Sequence, residues 1–385
     1  MSDTDFLTLA ALATVAVPDL EVESLCPPLG EDNDFRWVGV LDNHSARWSI
    51  IGAKHPDAEA ALDKQQKILT MLTNYRDAHR IPFEVPRIEG RATSKDGTSI
   101  IVYRQLPGNP LEFNELAEDP DLLRALGKAV AALHEIPANL VAHVGFPTPS
   151  VDDIRAGLRK NLSRAVATGL VPPVLQARWE QALDEDAWWH FHPTFVHGSL
   201  EPQHVLVADS RILGISGFAE VSVGDPSQDL SWVASELTDE AVDLVFDAYH
   251  LGRAEGADPF LRQRTDLYIE LALVNWLNWG VDQGNASIIA DAQDLLNEQL
   301  ERLDGDLSLT GRPLYEEQTT SAPDHSAEAN GIAVPASESD AEASKTDAEA
   351  RETTAEITAE IPSEITAEIP SESSSEVSSP SPDSA

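Results

Sequence analysis

The residues best placed to do chemistry lie between Phe195 and Trp232. A β-branched lead-in runs into His197-Gly198-Ser199. An apolar run, Val205 to Val207, is followed by a turn at Ala208 to Ser210, and a second apolar run, Ile212 to Ile215, ends at Ser216-Gly217-Phe218. This pattern predicts two short strands joined by a tight turn, each with a special loop at one end. Zinc chemistry on His197 and His204 lacks a third ligand cluster or a cysteine pair. A nucleophile elbow at Gly214 to Gly217 fails by one residue, because Gly-x-Ser-x-Gly is required. Asp225 and Asp229 read as residues that cap and anchor the next helix, with Asp229 suited to an N-cap before an apolar run. Trp276 and Trp279 lie three apart on one helical stretch beside Asn275 and Asn278.

Elements on both sides must position this stretch. Residues 1–20 predict one helix ended by Pro18, half-buried at a domain edge. Cys26 to Asp34 reads as a loop. Phe35 to Leu41 and Arg47 to Ile51 read as a hairpin. Pro56 and Asp57 open a helix with apolar residues at 58, 61, 62, 68, 69 and 72, near a period of 3.6. Arg87 to Ala92 and Ser99 to Arg104 form a second hairpin around residues 95–98, and Leu106 to Pro110 is a linker. Beyond Leu111 the chain is helical: Leu122 to Ile136, 151–168, 173–188, 230–237, 240–254, 259–280 and 287–303. The first lobe, residues 1–106, is thus a small sheet with one packed helix. The second, 107–304, is mainly helical and contains the hairpin 195–218.

Composition limits the partners. The net charge of −40 argues against nucleic acid, whose phosphates need a basic surface, and against anionic lipid. A single cysteine, Cys26, rules out an intrachain disulfide framework and suits a reducing compartment, so the chain is expected to be cytoplasmic. The apolar run Leu7 to Val17 is too short to span a membrane, and Asp3 and Asp5 precede it in place of basic residues. Residues 305–385 are Ser, Thr, Ala, Glu and Pro with few cations, and the unit Ile357 to Glu364 recurs as Ile365 to Glu372. Low hydrophobicity with high charge predicts a disordered acidic tail, and a docking role for it is a third reading of function.

The whole order of motifs resembles the aminoglycoside phosphotransferase superfamily, the macrolide branch above all. The resemblance rests on Tyr103 to Leu111, Leu126 to His134, His197-Gly198 with His204 to Val207, and Val223 to Leu230. It implies an α+β, bilobal, protein-kinase-like fold, and transfer of a phosphoryl group from ATP or GTP with Mg²⁺ to a hydroxyl of a small molecule, an antibiotic or a sugar. Such transfer needs little covalent help and much charge: a strand cation on the phosphates, a helix carboxylate holding it, a loop Asp on the acceptor hydroxyl and another Asp on the metal.

Set against that scheme, the loop Asp position is Ser199 and the metal Asp position is Ser216. The register puts Ile51 at the strand cation, with Lys54 the nearest basic residue, and Gln65 at the helix carboxylate, with Asp63 beside it. His204 takes the place of the remaining metal ligand. Gln105 and Leu106 fall in the hinge-like segment, and His197 takes a structural place, tying its loop to backbone near the metal loop. Trp276 and Trp279 fall on a helix that resembles the acceptor-pocket wall. A hydroxyl is a poor ligand for a hard cation and a poor base. The reading that follows is a kinase-fold protein with impaired catalysis that binds a nucleotide or small molecule or serves only as a scaffold. The alternative is an active transferase in which Glu201, two residues after Ser199, or Glu220, four after Ser216, supplies the missing charge.

Overall fold

The computed structural model describes residues 3–27, 34–94, 97, 99–256, 258–303 and 308–312, all within one compact unit, Met1–Thr319. The expected acidic tail, the glycine-containing loop at 28–33 and most of the turn at 95–98 lie outside the described residues.

Five antiparallel strands form the N-terminal sheet: β1 (Val22–Cys26), β2 (Phe35–Asp42), β3 (Arg47–Ala53), β4 (Ile88–Thr93) and β5 (Ser99–Arg104), in the order β1-β2-β3-β5-β4. The β2–β3 turn is set by Asp42. Its carboxylate accepts from the amides of His44 and Ala46 at 2.9 and 2.8 Å and from Trp48 Nε1 at 2.9 Å, while Ser45 takes positive φ. Strand alternation gives the sheet two apolar faces. Val38, Val40, Ile50, Ile100 and Val102 pack against Leu9, Ala10 and Ala13 of α1 (Asp3–Ala16). Ile51, Ala53, Ile101 and Tyr103 pack against Ala58 and Leu62 of α2 (Pro56–Asp77). The sheet therefore carries a helix on each face. The short edge strand β1, within a stretch that the sequence pattern left unassigned, completes it.

Local chemistry starts the helices. His55 caps α2 through Nδ1, which accepts from Ala58 N, and Pro56 follows in the first turn, where its missing N–H costs nothing. Asp119 caps α4 (Pro120–His134), and Ser150 with Asp153 forms a capping box on α6 (Val151–Val166). Between them lie β6 (Asn109–Pro110), α3 (Phe113–Glu118) and α5 (Ala138–His143). Asn109 and Pro110, expected as linker, pair with Val207 and Leu206 instead. α7 (Pro173–Asp184) precedes β7 (Thr194–Val196), the hairpin strands β8 (Val205–Ala208) and β9 (Arg211–Ile215), and β10 (Ser222–Gly224), which pairs with β7. α8 (Ser231–Glu236), α9 (Asp239–Gly252), α10 (Leu261–Asp282) and α11 (Ala286–Arg302) complete the helical lobe. No helix among the described residues is long and apolar enough to cross a membrane.

Two cores organise these helices. One joins Ile68, Leu69 and Leu72 of α2 to Phe83, α4, the hairpin and α9. The other joins α6, α7, α10 and α11 around Trp179. Parallel bridging of Glu84 with Gly214 ties the α2–β4 connection to the hairpin, with Glu84 N donating to Leu213 O and Ile215 N donating to Glu84 O.

Arg264 fastens α10 beneath the hairpin. It is fully buried, its Nε lies 2.8 Å from Asp225 Oδ2, and its Nη2 reaches Asp258 at 2.5 Å. Removing the guanidinium leaves the Asp225 carboxylate buried and unpaired. Arg264→Met should cost about 3–5 kcal/mol in urea unfolding, whereas Arg262→Met, which breaks pairs to exposed carboxylates, should cost less than about 1 kcal/mol. Equal losses would show that the buried pair does not hold the helix in place.

Candidate functional site

The hairpin turn uses Asp209 and Ser210, both at positive φ (50° and 55°) between the paired Ala208 and Arg211. This matches the right-handed twist of the strands. One loop before β8 and one after β9 then meet. His197 donates from Nε2 to the carbonyl of Ser216 at 2.7 Å. His204 donates from Nδ1 to the carbonyl of Ser199 at 2.8 Å, and its own carbonyl accepts from Ser216 N at 2.9 Å. Ser199 and Ser216 are thus brought together around His204, both half-buried. The Ser216 hydroxyl stands 3.5 Å from His204 O, too long for a strong hydrogen bond.

Two glycines make this meeting possible. Gly198 has φ of 84°, and a Cβ there would lie 2.3 Å from the Glu220 carbonyl oxygen. Gly217 has φ of 87°, and a Cβ there would strike the His204 ring at 2.6 Å. Any other residue would part the two loops.

Beneath them, the Asp229 carboxylate accepts from His197 N at 2.6 Å, Gly198 N at 2.9 Å and His134 Nε2 at 3.1 Å. His134 in turn meets the Tyr249 hydroxyl at 2.9 Å through Nδ1. This corrects the expected N-cap. Leu230 occupies the position before α8 and makes no side-chain cap, while Asp229 sits inside a short 3-10 turn, Pro226–Leu230, with its oxygens committed to the loop. Asp225 does cap that turn, accepting from Ser227 N. Sequence reasoning missed His134, Tyr249 and Arg264 as partners. The only available signal was polar side chains at helical positions facing an apolar stripe.

The remaining candidates spread out. Ile51 is 1% exposed and lies in the apolar layer with Leu62, Ile101 and Tyr103. Lys54 is exposed just past β3. Gln65 is half-buried on α2. Asp63 beside it pairs with Arg91 of β4 at 2.5 Å, and Arg91 also donates to Gln66 at 2.8 Å. Gln105 N donates to Arg47 O, and Leu106 packs over Gly214, where a Cβ would meet its side chain at 3.0 Å. Glu201 is exposed, with Oε2 accepting from Gln203 at 2.8 Å. Glu220 stands directly over Gly198, and its exposed carboxylate has no ion pair among the described residues. Trp276 and Trp279 stack at 5.0 Å on α10, and Trp276 Nε1 donates to Asp291. Both are exposed on the helix surface, at 36% and 46%.

For a divalent cation, the two loops supply the hydroxyls of Ser199 and Ser216 and the Nε2 of His204. No group of three or more His, Cys, Asp or Glu among the described residues could hold a metal. This donor set does not suit Mg²⁺, which binds charged oxygens.

The model of the phosphotransferase enzyme family, APH, matches residues 26–268, well over half the chain. The chain belongs to that family. Among solved structures, the phosphotransferase-family fold here is similar to the apoenzyme of macrolide 2′-phosphotransferase MphH from Brachybacterium faecium, at 26% identity and TM-score 0.64, covering 76% of this chain and 98% of that one. The GDP complex of wild-type aminoglycoside 2′-phosphotransferase-IIIa shares the fold at 19% identity and TM-score 0.63, covering 78% of this chain and 99% of that one. Viomycin phosphotransferase of Streptomyces vinaceus is 27% identical over 42% of this chain and 58% of its own length. The uncharacterised YcbJ of Bacillus subtilis is 25% identical over 34% and 47%. The chain thus spans about half the length of the curated relatives it matches.

The electrostatics of this family site are unusual at His197. Burial pushes its pKa down to about 4, against the opposing pull of the Asp229 charge and the bond to Ser216. Burial also works against the Asp229 charge, but the His134 bond and charge, helped by His197, hold that carboxyl below its ordinary range. The unfolded chain binds a proton at His197 from about pH 6.5 downward and the folded chain only near 4, so folding stability falls through this window by roughly 3 kcal/mol. Asp229 adds a further loss at lower pH, as the folded carboxylate finally takes a proton. His197→Gln, whose amide can still donate to the Ser216 carbonyl, should flatten the urea-unfolding stability between pH 6.5 and 4.5. An unchanged slope would assign the pH dependence to other groups.

Proposed function

We propose that this chain is a kinase-fold phosphotransferase-family protein whose transfer chemistry is impaired, and that it acts by binding a nucleotide or small molecule. The carrying observation is that Ser199 and Ser216 stand where the family resemblance calls for carboxylates, in a hairpin whose supporting contacts are otherwise complete. General acid–base help is worth roughly 10²–10⁴-fold, so the loss of the loop carboxylate alone removes most of the rate. The buried Ile51 at the place of the phosphate cation supports the same reading. The GDP complex of the related fold supports a nucleotide as one ligand class.

A second reading has one observation in its favour. The backbone of Glu220 lies against Gly198, next to Ser199, and its carboxylate is exposed and unpaired among the described residues. In this reading Glu220 accepts the hydroxyl proton of a small-molecule acceptor as the phosphoryl group moves. Glu201 supports it less, since its oxygen is engaged by Gln203.

Thermal unfolding with ATP or GTP, with and without Mg²⁺, separates the readings, because a ligand that binds the native state raises Tm by mass action. The impaired reading expects a shift that does not depend on Mg²⁺, and no turnover on aminoglycoside, macrolide or sugar acceptors. Mg²⁺-dependent turnover that Glu220→Gln abolishes would overturn it in favour of the second reading. In the impaired case, Ser199→Asp with Ser216→Asp should introduce measurable transfer.

A further inference from the structure

Away from the hairpin, α2 and α5 enclose a groove of about 700 Å³ with β4 at its side. None of residues 195–218 lines it. The volume falls within the range of sites for small organic ligands, roughly 300–1,000 Å³. Its apolar lining is Met71 and Tyr75 from α2 with Leu140 and Val144 from α5 and its C-terminal end. All four are half-buried and pack on the main core, so this floor has fixed support and stays open on one side.

The polar rim is asymmetric. Arg91 meets Asp63 and Gln66 through Nη1 alone, leaving the donors on Nη2 and Nε without partners among the described residues. Lys67, exposed on the same side of α2, makes no ion pair among the described residues. Two cations against one carboxylate give the rim an excess positive charge in a chain whose net charge is −40. A guanidinium with free, forked donors suits a planar carboxylate. The tyrosine ring and the methionine thioether favour an aromatic body, since both make favourable contacts with rings.

We propose that this groove is a second ligand site, distinct from the interlobe hairpin, for a small aromatic carboxylate. The ring lies on Met71, Tyr75, Leu140 and Val144, and the carboxylate is held by Arg91 and Lys67. The proposal is independent of whether the hairpin transfers phosphate.

Naphthalene-2-carboxylate is a suitable probe, and its uncharged isostere, naphthalene-2-carboxamide, is the control. Calorimetric titration of the full chain should show the carboxylate binding on the order of tenfold or more tightly than the carboxamide, a difference that salt reduces. Lys67→Glu changes an exposed residue and should erase that difference. Val144→Trp should fill the groove and remove binding of both compounds. Hydrogen exchange with the carboxylate bound should slow in residues 63–75 and 140–144. Equal binding of the two compounds, binding unaffected by Lys67→Glu, protection confined to the hairpin, or no binding at all would each overturn the assignment.

Discussion

A single buried carboxylate holds the geometry of the hairpin loop. Asp229 gives its oxygens to the amides of His197 and Gly198 and to the His134 ring, and it does so with no exposure to water. A loop with glycine at positive φ has no regular hydrogen-bonding pattern of its own. Without those acceptors the His197 N–H would be buried and unsatisfied, at a cost of about 1–3 kcal/mol, and the part-buried Gly198 N–H would lose its partner. The carboxylate also depends on its neighbours. His134 supports it from α4, and Tyr249 supports His134 from α9, so the two helices that bracket the hairpin are joined through the group that shapes it.

The contacts that join the two loops use backbone groups and imidazoles, with an aspartate beneath them. The side chains of Ser199 and Ser216 carry little of that load, since the loops meet through the carbonyls of both residues and the amide of Ser216. Ile51 differs, because it is inside the apolar layer between sheet and α2. A cation there would need a carboxylate partner on the helix, and the neighbouring helix position that is fully buried is Leu62.

Much of this was legible in the sequence. Alternation and turn residues marked β2, β3, β5 and the hairpin, and the 3.6-residue period marked α2 and α4. Short elements escaped because their pairing comes from tertiary context. β1 has no apolar alternation that distinguishes it from loop, β6 is two residues long, and α3 and α5 hold six residues each. Asp229 was misread because an acidic residue before an apolar run satisfies the N-cap pattern equally well when its side chain turns the other way. Local spacing records the identity of a polar residue and not the direction in which it points. His134 and Tyr249 are 115 residues apart, a pairing that spacing does not reveal.

The burial of Asp229 also sets a clock for the loop above it. The amide of His197 donates to a carboxylate sealed beneath α4 and α9, so water reaches it only when that part of the core opens. Opening of such a unit approaches the free energy of unfolding itself, unlike the fraying of an ordinary surface loop. The start of the loop, at His197, therefore moves with the body of the helical lobe.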